Sequence, residues 1–525
     1  MHKRTLKLYI LTILVFFVSS AASSVLAITY TVADPTGDWG YPSPYGMYPR
    51  GPGYVRMSFI FDTLIWKDKK GIVPALAKSW NYIPQDNAYV FDLREDVSWH
   101  DGEKFTSRDV VFTFNYIKEH PWAWVNSDII RKAEAKDQNT VKVYLNKPYA
   151  PFLTNVAGTL PIMPEHIWAG IDKPEQFMDK KALIGTGPYE LADYNKAQGT
   201  YLYEAYPGYY LGKPKVDRIR LVKVNAEIAP TALKRGEVNA SSVPPDILDN
   251  LKDQGLEIVE EPPAWVAKLI INHKEGPLSS REFRSALAYA VDREKIVQIV
   301  RRGHAVLGSV GLIPPSNKLW YNPDVTKYPY NFTKAKKIIG DMGYKMGKDG
   351  YYQKNGQRLE FELLAGSVYQ EEFSRIGEMI KNDLEKAGIK INLRGLESKS
   401  ADARIKNWNF HLAAGGHGGL GGDPEALNRS IIGEGFNSAR YFQNKELVDL
   451  LKKQLQQMDF EERKQTVYRI QDIYAQELPS ISLYHPKWYW AHDGAVDIYY
   501  TDGGLALGIP IPINKLSFLE YSEKR

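Results

Sequence analysis

Gly416-His417-Gly418-Gly419-Leu420-Gly421 matches GxGxxG, the pattern that cradles a dinucleotide pyrophosphate where a strand turns into a helix. It follows a candidate strand at 410–414. It lies late in the chain rather than in a first strand–helix unit, however, and Asp423-Pro424 follows at once, so a nucleotide loop is disfavoured. His417 is left as a candidate ligand-binding side chain. His411 and His417 are six positions apart across a strand end, a poor spacing for two ligands of one metal, and no metal site is expected. Glu260-Glu261 reads as solvated charge rather than an acid/base pair, although the two carboxylates of a glycosidase need not be neighbours. There is no GxSxG elbow, P-loop, HExxH helix or EF-hand loop. The cysteine count is zero, which removes disulfides, thiolate metal sites, cysteine nucleophiles and lipid attachment through cysteine. The expectation is a protein with no catalytic residues and no cofactor. A secreted hydrolase is the rival of another class; it would need a base and a nucleophile converging in a cleft.

The elements that must position such residues are those of an ordinary globular chain. The 525 residues allow two large lobes or about three domains, and 44% hydrophobic with 25% charged residues excludes disordered and fibrous classes. A formal charge of +5 is too small at this length to argue for a nucleic-acid partner, and none is expected. The surplus of aromatics, with 34 Tyr and 12 Trp, suits ligand pockets and sugar stacking as well as a large core. Residues 1–27 read as a secretory signal peptide: Lys3, Arg4 and Lys7, an apolar run over 8–18, then small residues with Val25 and Ala27 at the positions read on cleavage. The run is about half of the roughly 20 residues that span a bilayer. A soluble chain cut near Ala27, outside the cytoplasm, is expected.

From 59 to about 185 the pattern is short strands and turns, with strands at 89–93 and 140–145 and a helix opened by Ser107. A strand at 219–224 and a helix at 230–235, stopped by Gly236, follow. From Gly276 long amphipathic helices dominate. Ser279-x-x-Glu282 reads as a capping box, Asp292 opens another helix, and Asp459-x-x-Glu462 caps a third that ends at Pro479. A strand at 359–364, a helix carrying Phe373, Ile376, Ile380 and Leu384, a stop at Gly388, and the alternating Ile389, Ile391 and Leu393 make a strand–helix–strand unit with parallel strands.

Several phrases then occur in order. They are Pro74-Ala75-Leu76-Ala77-Lys78-Ser79-Trp80, Phe91-Asp92-Leu93-Arg94 through Asp101-Gly102 and Ser107-Arg108-Asp109-Val110, Gly185-Thr186-Gly187-Pro188-Tyr189, Gly236-Glu237-Val238, the stretch 281–292, and 335–344. Together they resemble the family 5 extracellular solute-binding proteins of ABC transporters, the dipeptide-, oligopeptide- and nickel-binding group, from about residue 59 to 480. Most of these residues build a scaffold and do not name a solute.

The resemblance implies an α/β, periplasmic-binding-protein-like fold: two α/β lobes with a hinge and a cleft, plus an extra domain inserted in lobe I. Lobe I is expected over 28–60, 185–275 and 480–525, the extra domain over 61–184, and lobe II over 276–479. It further implies a periplasmic or extracellular, monomeric receptor that closes on a short peptide and hands it to the membrane permease subunits of an importer, with oligosaccharide or chelated nickel as alternative solutes. In the family's peptide binders an Asp after a lobe II strand meets the ligand's ammonium, and Asp423 stands at the matching place; it equally suits the start of a helix at 425–432. Arg404 lies where an Arg can meet a ligand carboxylate, or is solvated. Tyr48 and Arg50 sit on a Gly/Pro/aromatic loop that enters the cleft region. Trp408 and Trp488 suit either pocket or core. Family members often carry Trp where His417 stands, and six glycines in 415–422 suggest a wall with few side chains and a wider pocket.

Overall fold

The computed structural model describes residues 27–366, 370–435 and 437–519; the signal peptide expected over 1–27 lies, apart from Ala27, outside them. Two sheets form the centres of two α/β lobes. The first has seven strands in the spatial order Glu257–Glu260, Tyr489–His492, Ala240–Val243, Thr29–Asp34, Arg218–Lys223, Thr200–Ala205 and Tyr189–Asn195. Thr29–Asp34 runs parallel to Arg218–Lys223, and Arg218–Lys223, Thr200–Ala205 and Tyr189–Asn195 follow one another as antiparallel neighbours. A four-stranded antiparallel sheet, Ala77–Ile83, Ala88–Leu93, Thr140–Leu145 and Ile130–Ala135, lies beside it under the helix Ser107–Glu119. That helix begins with a capping box in which Thr106 and Asp109 satisfy each other's backbone donors. One continuous hydrophobic core joins this sheet to the first lobe.

The second lobe has six strands in the order Ala305–Leu307, Ser480–Pro486, Val266–Ile271, Leu412–His417, Glu360–Ala365 and Lys390–Gly395. Glu360–Ala365 and Lys390–Gly395 are parallel and joined by the helix Gln370–Lys386, whose Phe373, Ile376, Ile380 and Leu384 are fully buried. Gly388 ends the crossover with φ +87°, a left-handed conformation that glycine adopts without steric cost.

Two expectations need correction. The lobe boundaries expected from the sequence are 275/276 and 479/480, where the helical character begins and ends. The strands Val266–Ile271 and Ser480–Pro486 nevertheless pair inside the second sheet. Every residue of both is buried, which suits central strands covered on both faces. The chain therefore crosses between lobes at 261–265 and 487–488. The helix read as capped by Ser279 starts at Arg281 under Ser280, whose hydroxyl accepts from the Phe283 N–H at 3.3 Å. Ser279 instead closes the preceding turn, donating to the Gly276 carbonyl at 2.7 Å. Asp292 and Asp459 cap their helices as expected, accepting from the N–H of Lys295 and Glu462.

Candidate functional site

A cleft of about 690 Å³ opens between the lobes. Pro49, Arg50 and Gly51 and the segment 507–510 line it from the first lobe, Ala123 and Trp124 from a loop of the inserted domain, and His417 to Gly419, Arg429, 433–435 and Asn437 from the second. The segment 503–508 is anchored by Lys67, whose Nζ donates to the carbonyls of Gly504 at 3.0 Å and Ala506 at 3.3 Å. Complete burial pushes the Lys67 ammonium down to about 8. Opposite, the wall of the second lobe is the end of the strand Leu412–His417 and the turn beyond it.

The glycines of that wall serve packing as much as space. A Cβ on Gly416 would lie 1.9 Å from the Trp265 ring and 2.4 Å from the Val266 carbonyl oxygen, so this position cannot carry a side chain and does not widen the pocket. Gly418 and Gly419 do face the cleft. Gly422 brings the two lobes into backbone contact. A Cβ there would meet Gly503 O at 3.0 Å and Gly508 Cα at 3.2 Å, both on the first lobe. The inserted sheet touches the second lobe as well, with the Ala150 N–H donating to the Leu455 carbonyl at 2.8 Å. The lobes are thus drawn together over the cleft.

Of the six candidate residues, the cleft gathers two, Arg50 and His417. His417 ends its strand, is 7% exposed, and lies with Nδ1 3.0 Å from the Gly418 carbonyl oxygen while Nε2 is buried without a partner among the described residues. Burial first, and then the nearby Lys268, hold the ring well below the ordinary histidine range, so it is neutral near pH 7. Tyr48 is exposed on the same loop as Arg50 but does not line the space.

The other three are placed elsewhere. Asp423 is held in a two-pronged ion pair, its Oδ1 2.6 Å from Arg463 Nη2 and its Oδ2 2.8 Å from Nη1. Its Oδ1 also accepts from the Glu425 N–H at 2.8 Å, which is the helix-start role. Its charge is matched inside the second lobe, and it is not among the cleft residues. Arg404 donates to Glu362 Oε2 at 2.5 Å and to the Asn409 carbonyl at 2.9 Å, away from the cleft. Trp408 has Lys274 and Arg440 each 4.1 Å from its ring centroid and lies against His273, a local cation–π cluster. Residues the sequence reading passed over are Trp124, Arg429 and the segment 507–510. The aromatic run Trp122-Ala123-Trp124 could have drawn attention to the first; nothing local marks the other two.

The crossing strands carry one further buried acid. Glu261 is 4% exposed, its N–H donates to the Trp488 carbonyl at 2.8 Å across the two crossings, and its Oε1 has no partner among the described residues. The expectation of solvated charge at this position is corrected: burial raises its carboxyl well above the ordinary range, favouring the protonated form in the folded chain. An acid raised by folding stabilises fully below its unfolded value, about 4.3, and loses that contribution as pH rises toward the folded value. Glu261→Gln is therefore expected to raise the melting temperature at pH 8 and leave it nearly unchanged at pH 4. Equal shifts at both values would show that Glu261 is hydrated in solution.

Residues 71–438 match the family described as bacterial extracellular solute-binding proteins, family 5 Middle. Among curated proteins the chain is 29% identical over 383 residues to the dipeptide-binding protein of Escherichia coli (strain K12), covering 67% of this chain and 69% of that one. It is 28% identical over 442 residues to the oligopeptide-binding protein AppA of Bacillus subtilis (strain 168), covering 80% and 79%. Among solved structures, NikA from Brucella suis in complex with Fe(III)-EDTA superposes with a TM-score of 0.79 at 20% identity, over 92% of this chain and 99% of that one.

Proposed function

The chain belongs to the family 5 bacterial extracellular solute-binding proteins, and from that premise we propose that it captures a short peptide between its lobes and delivers it to the permease of an ABC importer. The observation that carries this reading is a cleft of about 690 Å³ walled by both lobes and the inserted domain, with the lobes in backbone contact at Gly422. A space of that size suits a ligand of a few residues. A solute bridging both walls stabilises the closed form by its differential affinity for it, and the closed form is what a permease can distinguish from the empty receptor. The relatives named for dipeptides and oligopeptides support peptide as the solute.

Thermal unfolding with trialanine, maltotriose and a nickel–histidine complex separates the solute classes. A matching solute at 100 times its dissociation constant is expected to add about 2.7 kcal/mol of stability. It should also reduce the radius of gyration in solution. Steady chemical conversion of the best binder would replace this reading by the secreted hydrolase.

Export is proposed with cleavage after Ala27, leaving Ile28 first. The Ile28 N–H already lies 2.8 Å from Asp217 Oδ2, so cleavage there would turn an amide hydrogen bond into an ion pair with the new terminus. Intact mass of the protein recovered outside the cytoplasm is expected to begin at Ile28. A mass retaining residues 1–27 rejects this placement.

A further inference from the structure

The feature of the cleft with the clearest chemical consequence is the imidazole of His417. It ends the strand Leu412–His417, whose backbone pairs with Val266–Ile271, so the ring has a fixed root. Its Nδ1 lies 3.0 Å from the Gly418 carbonyl oxygen. A carbonyl oxygen only accepts, so Nδ1 carries the hydrogen and Nε2 is left as a bare lone pair. Nε2 is buried, has no partner among the described residues, and belongs to a residue that lines the cleft and is 7% exposed. A buried acceptor left unmade is costly, and the cleft that His417 lines is the open space next to it.

The surroundings decide what kind of partner that is. The groups acting on the ring are Lys268 from the strand Val266–Ile271, Arg429 from the helix Glu425–Ile431 and His485 from the strand Ser480–Pro486. Lys268 does not satisfy Nε2, since its Nζ donates to the Asn437 carbonyl at 2.7 Å. Burial is the first cause opposing a second proton on the ring, with Lys268 and Arg429 adding to it, and the same burial disfavours a free cation beside Nε2. Together these effects leave an uncharged donor as the favoured partner.

We propose that His417 Nε2 accepts a hydrogen bond from an N–H or O–H of the captured solute, with the ring held as the Nδ1–H tautomer by Gly418. The inference deepens the capture reading and rests on it for the presence of a solute. It names an amide or hydroxyl donor as the group read at this wall. The position discriminates against solutes that place a carbonyl or a carboxylate there, because two acceptors facing each other without a proton repel.

Nitrogen NMR of protein labelled in its histidine rings tests it, with the His417 signals identified by their loss in His417→Phe. One protonated and one lone-pair nitrogen are expected throughout about pH 6 to 8; a doubly protonated ring, or a proton on Nε2, overturns the inference. Saturating trialanine is expected to move the lone-pair resonance upfield. His417→Phe should weaken trialanine roughly tenfold, whereas His417→Gln, which places an amide oxygen near the same point, should stay within about threefold. If maltotriose rather than trialanine closes the lobes, the peptide reading fails and Nε2 is judged by the same shift against a sugar hydroxyl. Closure by either solute with an unmoved resonance and an unweakened Phe variant overturns the inference. So does a nickel–histidine complex that binds more tightly than both and ligates Nε2 directly.

Discussion

Arg463→Met is expected to destabilise the second lobe by about 3–5 kcal/mol, the cost of leaving one member of a buried ion pair uncompensated. Arg463 and Asp423 have side chains only 6% and 9% exposed, so water cannot replace the lost partner. Gln454 loses two donors at the same time, since its Oε1 accepts from Arg463 Nε at 3.0 Å and Nη2 at 2.9 Å. For a fold whose net stability is on the order of 5–15 kcal/mol, this is a large fraction. Urea unfolding is the measurement, and adding Asp423→Asn should restore part of the loss because the stranded charge is gone. A loss below about 1 kcal/mol would mean that the pair behaves as a surface contact. The pair also bears on recognition. A carboxylate already bound to a guanidinium has little left for a ligand ammonium, so N-acetyl-trialanine is expected to bind within about threefold of trialanine. Strong weakening on acetylation would instead place the ammonium on Asp423, with Arg463 released.

Gly422→Val is expected to weaken solute binding by about 5- to 150-fold while hardly moving the melting temperature without solute. The Cβ alone would sit 3.0 Å from Gly503 O and 3.2 Å from Gly508 Cα, and these are backbone atoms that cannot swing aside. Two further methyl groups turn a tight contact into overpacking, which costs about 1–3 kcal/mol, and that range converts to the stated loss of affinity. The penalty falls on the state in which the lobes touch. The separated lobes leave position 422 free, so the variant shifts the population toward the open form. Small-angle scattering should show a larger radius at saturating trialanine than the parent protein gives. Binding within about threefold of the parent, with normal closure, would show that the lobes close on the solute without using this seam.

What could be read from the chain alone is what short-range chemistry controls. Gly236 and Gly388 end helices where the sequence places them, with φ of +68° and +87°, because a left-handed terminus is a property of one residue. Asp292 and Asp459 cap their helices because a side-chain oxygen reaches only the N–H groups within three residues. The buried stripe of Phe373, Ile376, Ile380 and Leu384 follows from 3.6 residues per turn, and the parallel pairing of the strands around it follows from the crossover. The family phrases carry the two-lobe scaffold for the same reason: they are turns, caps and core positions.

The site itself depends on distances that the sequence does not encode locally. Asp423 and Arg463 are 40 residues apart, and nothing near either position announces that one neutralises the other. Glu261 looks like half of an exposed acidic pair until the two crossings meet and enclose it. The strand Val266–Ile271 reads as the end of one lobe and lies in the middle of the other, because pairing partners more than a hundred residues away determine its sheet. The cleft wall at 507–510 faces His417 only because the chain returns to the first lobe after residue 488. Local propensity sets each element, whereas the enclosed carboxyl of Glu261 and the unmatched imidazole nitrogen beside the cleft are set by which elements the tertiary fold brings together.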